Sequence, residues 1–342
     1  MSAVNKIISD ETLGMNSVID PLVVTIILVF VSSVCTSVMC VFGIVANVIN
    51  IQLFWKQGFR DGVNVTLTSL AVSDLGAVIF ELVYSTVINP LLLERDWVIS
   101  KAIIGIISAL THEYFSRVSS VVTAFAALER CLCVTCPLKV KAMITTKVAI
   151  MVNASIFIIY TLYFFPQLYV VDFDWALISE RNVTVYVVYT TARSAIFFPM
   201  TYYFTDILFP YCTFIILISS CTILFVKLKS KAKWRNLVST SGQGLSHVTV
   251  REQKSGVVFM AVSLMCVVLL LPQYLLFTAL TFIRALAFNG YLVDVRKIAY
   301  AFTRVFKTAN SSFTIFIYYN MSTKYRSEFH KMFTKQTKAE RL

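Results

Sequence analysis

Long apolar blocks alternate along the chain with short polar segments that are mostly basic. From Pro21 to Trp55 there is no charged residue, a run well beyond the ~20 residues that cross a hydrocarbon layer. Similar blocks follow at about Gly62 to Leu93, Trp97 to Cys133, Val148 to Val171, Ser194 to Val226, Ser255 to Ile283 and Leu292 to Asn320. Pro210 and Pro272 predict kinks in the fifth and sixth. The seventh is the least obvious by hydropathy, because Arg304 and Lys307 lie within it. The pattern predicts an all-α membrane protein, a bundle of seven transmembrane helices over residues 21–320. Beyond it, Tyr325, Phe329 and Phe333 recur every four residues while Lys324, Arg326 and Lys331 project elsewhere. That spacing predicts a short amphipathic helix on the inner leaflet, followed by a brief polar tail, within residues 321–342.

Composition narrows the class. Hydrophobic residues make up 58% of the 342 and charged residues 14%, with a mean hydropathy of +0.76, far from the balance of a soluble domain. The net charge of +12 does not point to nucleic acid, because no soluble domain exists to carry a basic patch. Most Lys and Arg instead follow spans one, three and five or lie in the tail. By the positive-inside rule this puts the tail of residues 1–20 outside and the C-terminus in the cytosol of a plasma-membrane protein. The first 20 residues hold Asp10, Glu11 and Asp20 with a single Lys6, so no cleaved signal peptide is expected and span one targets the chain. The cysteines all fall in or beside apolar blocks. Cys131, Cys133 and Cys136 lack His or acidic ligands in reach and read as small apolar filler, not a zinc site.

Short motifs recur one per predicted helix. Span one carries Gly43-Ile-Val-Ala-Asn47, span two Leu70-Ala-Val-Ser-Asp74-Leu75, span three ends in Glu129-Arg130-Cys131 with Cys136-Pro137-Leu138 beyond, and span seven holds Asn310-Ser311 and Tyr318. Together, in order and across about 300 residues, they make the chain resemble a rhodopsin-like (class A) G-protein-coupled receptor, and within it the divergent chemosensory receptors of invertebrates, molluscan ones in particular. The resemblance implies that Arg130, held by Glu129 and by Glu252 on the sixth helix, locks helices three and six at rest. On activation the sixth helix, kinked at Pro272, swings out, and a heterotrimeric G protein enters beside Leu138. It further implies a polar cluster of Asn47, Asp74, Ser119, Asn310 and Ser311 that holds either an allosteric sodium ion or a water network around a protonated Asp74. Other positions depart from the family. Gly105 stands where the helix-three cysteine is usual and the second outer loop has none, so the family disulfide is expected to be missing. Leu270 replaces tryptophan, Thr314-Ile315 replaces Asn-Pro, and Ile218 replaces tyrosine.

Ionisable groups inside a bilayer cost roughly 2.5–3.5 kcal/mol each on insertion scales, so each is a functional candidate. Helical spacing places Asp74 with Glu81, Glu113 with Arg117, and Arg304 with Lys307 on common faces. His112 occupies the position where amine receptors of the family have an aspartate. The expected ligand-binding set is Glu81, His112, Glu113, Arg117, Arg304 and Lys307. It would take a small polar ligand or short peptide with an anionic group on Arg304 and Arg117; the competing reading is internal salt bridging, Glu113 to Lys307 for example. Among the sequons only Asn182-Val-Thr lies in an outer loop and is a credible glycan acceptor. No internal repeat supports a transporter, although an ion path through Asp74, Glu113, Arg304 and Lys307 is the alternative from another class, and a neuropeptide receptor the alternative within this one. No catalytic constellation shares a membrane depth, so an enzyme is not expected.

Overall fold

The computed structural model describes residues 19–89, 91, 99–136, 145–169, 171–178, 183–191, 197, 200–239, 247–286 and 290–339. Six described helices are long and apolar enough to cross a membrane: α1 (Pro21–Gln57), α2 (Gly62–Val87), α3 (Lys101–Thr135), α4 (Thr146–Leu168), α5 (Met200–Ser230, continuing to Ser239) and α6, whose apolar part is Val257–Phe282. The seventh, α7, consists of Val293–Ser312 and Thr314–Met321. It fails a hydropathy test because its buried stripe is Thr303, Arg304, Lys307, Thr308, Asn310, Ser311 and Ser312. Helix α8 (Thr323–Ala339) follows. The bundle thus has the seven spans that block length predicts.

Local sequence explains where helices start. Asp20 accepts a hydrogen bond from the Leu22 amide at 2.8 Å with Pro21 in the first turn, and Asp61 caps α2 through the Val63 amide at 3.1 Å. Ser100 and Thr145 do the same for α3 and α4. Gly58 ends α1 at φ 81°, a conformation open to glycine and costly for other residues. On α1, Leu22, Ile26, Phe30, Val34, Val38, Val41 and Val45 are all exposed. Their spacing of three or four residues forms one apolar stripe along the helix, a surface suited to lipid. Helix α4 buries only Ala149, Asn153 and Ile156, so most of it also faces outward.

Close packing concentrates on α2 and α3. A Cβ on Gly76 would lie 2.6 Å from the Phe115 ring, so glycine is what lets that ring lie against α2. The main apolar core joins Leu53, Phe54, Leu70, Val118, Val122, Phe259 and Tyr318. Tyr325 of α8 belongs to this core. It is 1% exposed and donates from its hydroxyl to Asn50 Oδ1 at 2.6 Å. Helix α8 is therefore pinned to α1 by the residue that sequence spacing placed in its lipid-facing row, while Phe329 packs at the core's edge. The side chain of Phe333 lies outside the described set.

Two features depart from plain helices. Tyr203–Leu208 is a π-helical segment leading into α5. Pro210 explains it in part: lacking an amide hydrogen, it cannot bond the carbonyl four residues back, that of Asp206, and the ladder widens there. The segment Val29–Cys35 of α1 is also π-helical. Between α4 and α5, Val171–Ile178 (β1) and Val183–Thr190 (β2) form an antiparallel hairpin where sequence reading saw only a loop. The hairpin is tied to the start of α3 by the Ser100 amide, which donates to the Tyr186 carbonyl at 3.0 Å, and by a parallel bridge from Ile99 to Tyr186. All eight cysteines are free, so backbone hydrogen bonds join this hairpin to α3.

Candidate functional site

The buried and half-buried charges of the hairpin-end half divide into two groups. In the first, Glu81 of α2 receives both Nε and Nη2 of Arg304 on α7, a bidentate pair with the Nε contact at 2.9 Å. Arg304 is 5% and Glu81 1% exposed. Tyr84 stacks under the guanidinium at 3.7 Å and Tyr300 lies 5.8 Å away. His112 Nδ1 is 2.9 Å from the Ala77 carbonyl and 3.5 Å from Glu81. The carbonyl accepts only from an Nδ1 that carries the proton, and Nε2 is buried without a hydrogen-bond partner among the described residues. This group is sealed among α2, α3 and α7.

The second group forms an alternating chain. Lys307 Nζ lies 2.6 Å from Glu113 Oε2, the same oxygen is 3.9 Å from Arg117, and Arg117 Nη2 donates to Asp206 Oδ1 at 2.6 Å. Thr205 donates to the other Asp206 oxygen at 2.7 Å. Asp206 reaches Arg117 from the π-helical segment, so the widened turn before Pro210 sits at the contact that ties α5 to α3. All four charged residues line a partly open cleft, which Gln273, Tyr160, Tyr274 and Phe277 also line. Leu270, at the position usually held by tryptophan, also borders the cleft and packs on Ala124, Leu217 and Cys266.

The expected ligand set is therefore divided by the structure. Glu113, Arg117 and Lys307 reach the cleft; Glu81, His112 and Arg304 do not line it. Arg304, named as an anchor for an anion, is fully engaged by Glu81, and the Glu113–Lys307 pairing raised as the competing reading is present. Asp206 completes the charge balance, three carboxylates against three cations over the two groups. Its position near the end of the fifth block was visible in the sequence. Its partnership with Arg117 was not, because that depends on the π-helical turn.

At the other end, the α8 end, Arg130 Nη2 donates to Glu129 Oε1 at 3.0 Å and the guanidinium lies 5.2 Å from the Phe259 ring of α6. Arg130 Nε and Glu129 Oε2 are buried without hydrogen-bond partners among the described residues. The side chain of Glu252 and all of Leu138 lie outside the described residues, as does Asn182. Pro272 lies within α6. Tyr318 is buried against Phe54 at 5.4 Å and Tyr325 at 5.7 Å, its hydroxyl without a partner among the described residues. Helix α7 breaks at Phe313, φ −94° and ψ 1°, so the bend next to Thr314-Ile315 forms without the proline usual there.

Between the two ends, Asp74 is buried and accepts from Ser119 at 2.7 Å. The Asn47 amide donates to the carbonyls of Gly43 at 2.9 Å and Ser311 at 2.8 Å. Asn310 is buried on α7. The structure thus brings Ser119 to Asp74 and Asn47 to Ser311, the helix neighbour of Asn310. Among the sequons, Asn64, Asn153 and Asn310 are buried.

Among curated proteins no significant match is found. A family model described as serpentine type 7TM GPCR chemoreceptor Srw matches residues 33–336, nearly the whole bundle and most of α8. The chain belongs to this chemoreceptor family of seven-helix G-protein-coupled receptors, a family of receptors and not of enzymes.

Proposed function

We propose that the chain is a plasma-membrane chemosensory receptor of rhodopsin-like mechanism, with its N-terminus outside, that takes a small water-borne ligand into the cleft between α3, α5, α6 and α7 and activates a heterotrimeric G protein at the α8 end. The observation that carries this reading is the placement of two charged residues on one helix. Arg117 of α3 lines the cleft, and Arg130, thirteen residues further and so ~20 Å along the same helix, contacts α6 where a G protein is expected to enter. A ligand that moves α5 or α6 against α3 changes the surroundings of both. The likeness to molluscan chemosensory receptors belongs to this reading and rests on the motifs alone.

A sodium ion at Asp74 is part of the same proposal. One Asp74 oxygen accepts from Ser119, and the carboxylate with the Ser119 and Ser311 hydroxyls supplies the hard oxygen donors such an ion takes. Raised sodium is then expected to weaken agonist affinity, and unchanged affinity would remove the ion.

The test of the receptor reading is nucleotide exchange on a heterotrimeric G protein in membranes that hold the full chain. Stimulus-dependent exchange, lost in Arg130→Ala at equal surface expression, supports it. Current or solute uptake without any G protein would favour a transporter or channel.

A further inference from the structure

We infer that the cleft recognises a zwitterion, a small molecule carrying both an ammonium and a carboxylate next to an apolar side chain, as a free apolar α-amino acid does. This deepens the proposed function and rests on the cleft being the ligand site. The argument begins with charge. Lys307, Glu113, Arg117 and Asp206 line the cleft as a neutral chain of alternating sign, with contacts of 2.6, 3.9 and 2.6 Å. A simple anion that took Arg117 would displace Asp206 and leave a carboxylate unpaired at low exposure. A simple cation that took Asp206 would strand Arg117. Either outcome leaves a charge without its counter-ion in a half-buried site, where water replaces the lost partner only in part. A zwitterion inserted between Arg117 and Asp206 satisfies both: its carboxylate accepts from the guanidinium and its ammonium donates to Asp206. The chain of alternating charges is lengthened, not broken.

The remaining walls fit this chemistry. Val121, Leu270, Tyr160, Tyr274 and Phe277 offer apolar and aromatic surface for a side chain, and Gln273 offers an amide. Insertion also has a mechanical consequence. Arg117 stands on α3 and Asp206 on the π-helical turn of α5, so a ligand between them parts the two helices at the hairpin end.

The experiment uses the purified full chain in lipid nanodiscs. Thermal unfolding midpoints report binding, and nucleotide exchange on an added G protein reports coupling. The probes are L-leucine and L-phenylalanine, with L-phenylalanine methyl ester as the cation lacking the carboxylate and hydrocinnamate as the anion lacking the ammonium. The expected result is a concentration-dependent rise in midpoint with at least one amino acid, and at least ~100-fold weaker binding of both single-charge analogues. The double variant Arg117→Gln with Asp206→Asn, which neutralises both charges together, is expected to remove that preference. Analogues that bind as well as phenylalanine, or no binding by either amino acid, would overturn the inference. Amino-acid binding without exchange supports the zwitterion site and removes the receptor reading. Exchange driven by another chemical, with no amino-acid binding, does the reverse.

Discussion

Two sets of buried charges lie within a few turns of each other, yet they differ in what surrounds them. Glu81 and Arg304 form a bidentate pair at 1% and 5% exposure, capped by Tyr84 and closed off from the cleft. Glu113, Arg117 and Asp206 are 14–15% exposed at their side chains and, with Lys307, line the cleft. The first set joins α2 to α7 and leaves no room for a ligand; the second joins α3 to α5 and α7 through contacts a solute can reach. An ionisable residue in a membrane segment is thus a structural clasp or a recognition group according to its access, and residue type does not separate the two.

The largest expected effect comes from breaking the sealed pair. Glu81→Ala strands the Arg304 guanidinium and is expected to cost about 3–5 kcal/mol, read as loss of surface expression and a sharply lowered unfolding midpoint. Arg117→Ala is expected to cost less, about 1–3 kcal/mol, because water entering the cleft hydrates Asp206; response to ligand is nevertheless lost at measurable expression. If the two variants were equally destabilised, the contrast would be gone.

Gly76→Ala sharpens the same comparison from the packing side. It drives a methyl into the Phe115 ring on the α2–α3 contact that carries Glu81 and Glu113 on adjoining turns, an overpacking expected to cost about 1–3 kcal/mol, measurable by thermal unfolding. At the opposite end, Tyr325→Phe removes the donor to Asn50 and is expected to cost about 1 kcal/mol with the ligand response kept, since the cleft is untouched. The smallest effect concerns Glu328 on exposed α8. Its carboxyl is held below the usual range, chiefly by the Lys331 hydrogen bond. A lowered folded-state value adds stability at neutral pH that is lost as pH falls through the carboxylate range. With both side chains in solvent, Lys331→Ala is expected to change stability by less than ~0.5 kcal/mol.

The sequence carries the spans well because block length survives any detail of packing. Even the seventh was visible, with Arg304 and Lys307 marking its buried stripe. The hairpin's signals are nevertheless present in the sequence: Val171-Asp-Phe-Asp-Trp175 alternates apolar and polar residues, and Val183–Thr190 consists entirely of Val, Thr and Tyr. Helical spacing brought Glu113 and Arg117 together correctly, since a four-residue step is local. It could not pair Arg304 with Glu81 or Arg117 with Asp206, which are joined across helices, the latter through a π-helical turn that no simple period encodes. In the same way Phe259 under Arg130 became visible only in the packed bundle.

The distinction between the two charge sets is tested most directly by replacing each as a pair. Glu81→Leu with Arg304→Met removes the sealed clasp without leaving a lone charge, and Arg117→Gln with Asp206→Asn does the same in the cleft. Both are compared by nucleotide exchange, using whichever chemical stimulates the unaltered chain. The account predicts that the first variant keeps its response with potency changed only a few-fold, and that the second reaches the membrane but responds at least ~100-fold more weakly. A silent first variant beside a responsive second one, both at normal surface expression, would contradict it.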